Sequence, residues 1–162
     1  FYSTMPTCAI DLRPFVIPTS LKILKTVLRK MRTDNHEALM STYTLQRDEE
    51  HLKEYTMVSN PPLLVRTLVG LPSTLNMTEK IAIHPDKIVA TTLSENLTNY
   101  RMKTTTTYQE TPSQEVEVTV KAFVKGIPEA LWTTLTPIME SKAATIRDAE
   151  LALCLNVKKE GL

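Results

Sequence analysis

Residues 116–125 read Val-Glu-Val-Thr-Val-Lys-Ala-Phe-Val-Lys, and no other stretch restricts the fold of this chain as strongly. Val116, Val118, Val120, Ala122 and Val124 fall on every second position, with Glu117, Thr119, Lys121, Phe123 and Lys125 between them. A period of two marks a strand with one covered and one wetter face, the pattern of an antiparallel sheet with a core on one side only. The C-terminal segment supplies the cover. After Gly126, Pro128 suits the first position of a helix. Leu131, Leu135, Ile138, Met139, Ile146, Ala149 and Leu153 then trace one apolar stripe at helical spacing. Pro137 is expected to kink this helix, because it removes a backbone donor and crowds the preceding turn.

The remaining segments fit the same plan. Residues 8–17 are mixed and apolar, and Pro14 and Pro18 confine them to a short edge strand. Pro18-Thr19-Ser20 offers a cap for a helix whose stripe is Leu21, Leu24, Val27, Leu28 and Met31. Its opposite side carries Lys22, Lys25, Arg29, Lys30 and Arg32. Strands are expected at about 38–47 and 52–58, then a two-turn apolar helix over 63–70 stopped by Gly70. Three more strands are expected at 75–83, 87–97 and 101–110. The whole predicts one α+β domain over 1–162. A curved antiparallel sheet of about six to seven strands is gripped by a long C-terminal helix, with a first helix and a short lid helix beside it. This helix-grip arrangement often encloses a cavity between helix and sheet.

Composition removes several function classes. Only three glycines occur in 162 residues, where roughly eleven are usual, so a dinucleotide fingerprint and a phosphate-cradling loop are excluded. Two cysteines cannot build a four-ligand zinc site or a disulfide framework. A net charge of +1 gives no bulk attraction to nucleic acid. The charge is nevertheless separated: residues 1–33 hold six basic and one acidic side chain, and 34–60 hold two basic and six acidic. The chain starts at Phe1 rather than methionine, and a removed organelle presequence would fit that start.

Lys142 is the most informative position. It lies on the apolar stripe of the last helix, one turn after Ile138 and one turn before Ile146. An unpaired ammonium facing a core is costly, and an anion bound in the sheet–helix cavity would remove that cost. A lysine that snorkels past the stripe, or pairs with a sheet carboxylate, is the plainer reading. The basic side of the first helix suits an anionic membrane or acidic partner, or is simply a solvated face. Leu63 to Val69, with Leu63, Leu64, Leu68 and Val69 as its apolar residues, reads as a lid, a membrane-touching element or an ordinary buried turn. For catalysis the residues are poor: His36, His51 and His84 share no ligand spacing, and no acid–base pair stands out. The expectation is a protein that is not an enzyme and needs no metal or cofactor.

Four stretches carry a resemblance to a known family: YTLQRDEEHLKEYTMVSNPPLLVRTLVG, TEKIAIHPDKIVATTLSENLT, TVKAFVKGIP and MESKAATIRDAELAL. In order and scattered residues they are similar to the hairpin with lid helix, the next two strands, the last strand and the closing helix of the PRELI-like (Ups/PRELI) phospholipid carriers of the mitochondrial intermembrane space. The resemblance covers about 38–155. It implies a cavity that extracts one acidic phospholipid, a membrane surface as donor, and a small helical-hairpin partner with twin cysteine motifs. It also implies an intermembrane-space or inner-membrane-associated location. The chain departs from the family at the turn after the first helix, which reads Arg32-Thr33-Asp34-Asn35 instead of Tyr-Pro-Asn-Pro. Headgroup positions that are cationic in phosphatidic-acid carriers stand here as Thr56, Asn60, Ile138 and Thr145. Lys142 and Arg147 stay basic, and Arg29 or Arg32 is expected to stand in beside them. Two readings result: a carrier with altered headgroup choice, or a structural accessory subunit of a mitochondrial membrane complex that reuses the fold.

Overall fold

In the computed structural model, which describes residues 7–97 and 101–160, eight strands form one antiparallel sheet. The start of the chain at Phe1, and the presequence expectation attached to it, lie outside the described residues. The strands are β1 (Thr7–Asp11), β2 (Phe15–Ile17), β3 (Ser41–Asp48), β4 (Leu52–Ser59), β5 (Leu75–Ile83), β6 (Lys87–Ser94), β7 (Arg101–Glu110) and β8 (Val116–Lys125). Their order is β1-β8-β7-β6-β5-β4-β3, with β2 also on β8. The expected six to seven strands become eight because the N-terminal segment breaks in two. Thr7–Asp11 pairs with the end of β8 and Phe15–Ile17 with its start, so the prolines sit between and after the paired pieces.

Three helices complete the fold: α1 (Leu21–Thr33), α2 (Leu63–Val69) and α3 (Glu129–Lys159). Ser20 caps α1 by accepting from the Ile23 amide at 3.3 Å. Gly70 ends α2 with φ +69°, a left-handed conformation that favours glycine. The strand expected from Ala38 begins instead at Ser41, because Glu37–Leu39 close into a 3-10 turn that buries Ala38 and Leu39. α3 runs through Pro137 as one helix of 31 residues. The Thr133 carbonyl cannot receive the amide that Pro137 lacks, but the turns on either side stay helical.

The register sets which residues share the inner face. Ile81, Ala90, Thr106 and Val120 form one row across β5, β6, β7 and β8. Tyr55, Glu79, Thr92, Thr104, Ala122 and Ile10 form the next, towards the α2 end. α1 packs on α3, and both lie over this face.

The apolar interior divides into two clusters. One joins α1 and the last third of α3 to β4–β6, β7 and β8 through Leu24, Val27, Met31, Ile88, Val116, Val118 and Cys154. The other joins the first turns of α3 to β1 and β8 through Ile10, Ala122, Val124, Ile127, Trp132 and Leu135. Half-buried Val65, Val69 and Leu71, from α2 and just beyond it, close the second cluster at its open end.

A candidate ligand site between helix and sheet

Between the two clusters the inner face is not sealed. Met77, Thr92, Thr104, Thr106 and Val120 are all half-buried, although residues further along each strand, such as Ile88, Tyr108 and Val118, are almost wholly enclosed. On α3 the facing positions Ile138, Met139, Lys142 and Ile146 are half-buried too. The threonines offer hydroxyls, and the apolar neighbours offer dry walls, which suits a ligand with an apolar body and a polar part.

Lys142 stands over this gap. Glu150 meets Tyr108 two turns further along α3, about 12 Å down the helix at 1.5 Å per residue. Thr104 is four residues up β7 from Tyr108, about 13 Å at strand spacing. Lys142 lies between the two clusters, after Met139, which packs on the second, and before Ile146, which packs on the first. It has no ion pair or hydrogen bond to any described residue, and burial pulls its pKa below the ordinary lysine value. The buried carboxylate of the sheet row that holds Thr92 and Thr104, Glu79, is taken by Arg32.

The other expected cations go elsewhere. Arg147 lies about 140° round the helix from Lys142; it stacks over the Phe15 ring at 5.3 Å and touches Asp148 at 3.3 Å. Arg29 reaches the β3–β4 turn and pairs with Asp48 at 3.0 Å on the exposed surface. Arg32, expected on the basic side of α1, is 6% exposed. Its guanidinium grips both oxygens of buried Glu79, Nε to Oε1 at 2.5 Å and Nη2 to Oε2 at 2.9 Å, and Nη1 donates to the Leu28 carbonyl. Arg29, Arg32 and Arg147 are thus not brought to the gap, and Lys142 alone of the four faces it. Arg32 is four residues after Leu28 and so continues the buried stripe of α1, where only a paired charge is tolerated.

α2 presents Leu63 at 69% and Leu64 at 64% exposure and keeps Leu68 and Val69 half-buried. It also holds Arg66, whose Nε is buried with no hydrogen-bond partner in the structure. An orphaned buried donor costs about 1–3 kcal/mol, which an oxygen acceptor on a ligand would recover. No pattern in the sequence separates Arg66 from a solvated arginine.

A buried polar network borders the gap, with Glu79 in the same row as Thr92 and Thr104. The Arg32 guanidinium sits 5.4 Å from the Tyr43 ring centre, and Tyr43 meets Tyr55 edge-on at 5.9 Å. Tyr108 donates to Glu150 Oε2 at 2.7 Å, with Glu150 2% exposed. Burial pushes the Glu150 carboxyl up to about 7, against the lowering effects of the Tyr108 hydrogen bond and the Arg32 charge. Burial likewise holds Tyr108 well above the usual tyrosine value, with the Glu150 charge adding to it. Glu79 and Glu150 occupy inward positions of a strand and a helix that otherwise read as apolar, a signal present in the sequence.

No family model matches the chain, and no curated protein does. Solved structures do. The Zhui aromatase/cyclase of Streptomyces sp. R1128 is 8% identical, with a TM-score of 0.62 over 92% of this chain and 94% of that one. A norcoclaurine synthase point mutant of Thalictrum flavum, solved with a transition-state analogue, is 14% identical, with a TM-score of 0.64 over 96% and 98%. Ara h 8.0201 is 10% identical, with a TM-score of 0.58 over 93% and 99%. These likenesses show the α+β helix-grip fold expected from the sequence. The expectation of a non-enzyme is overturned: the fold is shared with an aromatase/cyclase and with norcoclaurine synthases. The interior also holds a hydrogen-bonded pair of titratable groups, Tyr108 and Glu150.

Proposed function

We propose that the gap between α3 and the sheet holds a single amphipathic lipid with an anionic headgroup, an acidic phospholipid. The observation that carries this reading is Lys142, an ammonium without a partner set between two separate apolar clusters. A bound phosphate would give this ammonium a charge-assisted contact. The buried, unpartnered Arg66 Nε on α2 supports a second contact to the same kind of group. Acyl chains would lie along Met77, Val120, Ile138 and Met139, where each methylene kept from water contributes about 0.8 kcal/mol. The sequence resemblance over 38–155 supports the same ligand class, and with it a mitochondrial site of action.

Native mass spectrometry of the purified protein tests this directly. One phospholipid per chain, with acidic headgroups enriched over neutral ones, is the expected result. Vesicles of labelled phosphatidic acid or phosphatidylserine should then lose lipid to acceptor vesicles in the presence of the protein. Lys142→Met keeps the stem and removes the charge. It should weaken uptake of the acidic lipid about tenfold or more, the worth of one hydrogen bond to a charged group, and leave thermal stability unchanged or raised. A protein that carries no lipid and moves none would refute the reading.

A further inference from the structure

A second cavity, of about 200 Å³, opens where the turn after α1 meets the start of β3 and the end of β4. That is less than the roughly 300–1,000 Å³ of sites for drug-sized ligands, so its occupant is small. It shares no residue with the gap under α3. The chain makes the turn through two left-handed residues, Asn35 at φ 49° and Met40 at φ 54°, on either side of the 3-10 turn Glu37–Leu39. Ala38 and Leu39 anchor that turn in the interior, and the Ser59 hydroxyl donates to the Met40 carbonyl at 3.3 Å. The walls are therefore held in place before any ligand arrives.

Bonds already made within the protein fix what the lining side chains can offer. Asn35 Oδ1 accepts from the Tyr43 amide at 2.7 Å, which leaves the two N–H groups of its Nδ2 unused. His36 Nδ1 accepts from the Ala38 amide at 3.1 Å, so the ring proton stands on Nε2. Ser41 Oγ is buried and has no hydrogen-bond partner among the described residues, a costly state for a hydroxyl. With its proton on Nε2, His36 has no lone pair free for the Ser41 hydroxyl, so these two side chains are arranged to bind and not to cleave. All three line the cavity as donors without a formal cation. Glu37 adds a carboxylate that forms no ion pair with any described residue. Met40 and Val58, 54% and 43% exposed, supply apolar wall.

Several neutral donors together suit a carboxylate, a free carboxylate suits an ammonium, and apolar wall suits an alkyl group. A simple anion would be repelled by Glu37, and a simple cation would leave the donors unmatched. We propose that this cavity binds a free α-amino acid with an aliphatic side chain. Its carboxylate would lie on Asn35, His36 and Ser41, its ammonium on Glu37, and its side chain against Met40 and Val58. This site is separate from the gap and stands whether or not the gap holds lipid.

Titration calorimetry of the full chain with leucine provides the test. One saturable site with a Kd below about 1 mM is the expected result. N-acetyl-leucine lacks the ammonium and leucine amide lacks the carboxylate, and each should bind at least about tenfold more weakly. Glu37→Gln should weaken leucine binding about tenfold and leave N-acetyl-leucine binding unchanged. Ser41→Ala should weaken binding of both and leave leucine amide unchanged. Because Ser41→Ala removes an unpartnered hydroxyl, its thermal melt should be unchanged or raised. Lipid occupancy by native mass spectrometry should be the same in both variants, which separates this site from the gap. No saturable leucine binding by the wild type, or equal affinity for the three ligands, overturns the proposal, and both readings use wild-type protein alone. Leucine binding untouched by either substitution overturns it as well.

Discussion

Arg32→Met should destabilise the protein by about 3–5 kcal/mol, read as a lower urea midpoint at unchanged slope. The size reflects the group left behind. Arg32 and Glu79 are 6% and 4% exposed and joined by two hydrogen bonds. Without the guanidinium, the Glu79 carboxyl stays enclosed among Tyr55, Thr92 and the α1 residues with no cation to offset its desolvation. Burial works against the charge on Arg32, yet the Glu79 charge and hydrogen bond, with Tyr43 and Tyr108 adding, raise the Arg32 pKa above its ordinary value. Against a total stability of about 5–15 kcal/mol, the loss is between about a fifth and the whole of it. Arg32→Met combined with Glu79→Met should recover most of the loss, since replacing both partners of a buried pair by apolar groups is often neutral or stabilising. If the double variant is no more stable than the single one, the burden lies in the lost Tyr43 stacking and the Leu28 carbonyl contact, not in the orphaned carboxyl.

Glu150 should make stability fall as pH rises through the slightly acidic range. Its folded pKa of about 7 stands above the ordinary 4.5, so between those values the folded chain keeps a proton that the unfolded chain has given up. Stability from this group is full below about pH 4.5 and declines towards pH 7, by about 3 kcal/mol at 1.36 kcal/mol per pKa unit, and is flat above. Glu150→Gln cannot ionise but can still accept from the Tyr108 hydroxyl. It should match the wild type near pH 5, exceed it by up to that amount at pH 8, and erase the slope between. Denaturant melts of both proteins at half-unit pH steps would measure it. An identical slope in the two would assign the pH dependence to other groups.

Both predictions concern contacts that join residues far apart in the chain, 47 positions for Arg32 and Glu79 and 42 for Tyr108 and Glu150. Each residue is visible beforehand as a polar side chain on an apolar row. Arg32 continues Leu24 and Leu28, Glu79 sits between Met77 and Ile81, and Glu150 follows Ile146 and precedes Cys154. Periodicity says such a group faces inward but does not say what meets it. Reading Arg32 as a solvated cation therefore failed, whereas reading Lys142 as an inward-facing ammonium without a partner agrees with its surroundings. The difference is that the Lys142 reading needed no partner to be identified.

Local patterns alone determined the α+β class, the alternating last strand, the apolar stripe of α3 with Lys142 in it, and the capped ends of α1 and α2, because each depends on neighbours within a few positions. Sheet order, the split of the N-terminal segment onto one strand, the division of the core into two clusters and the partners of the buried charges were decided by tertiary structure. These depend on which distant surfaces meet when eight strands curve around one helix, and on the cost of enclosing an ion. That cost selects a pairing only when both ions arrive at the same place.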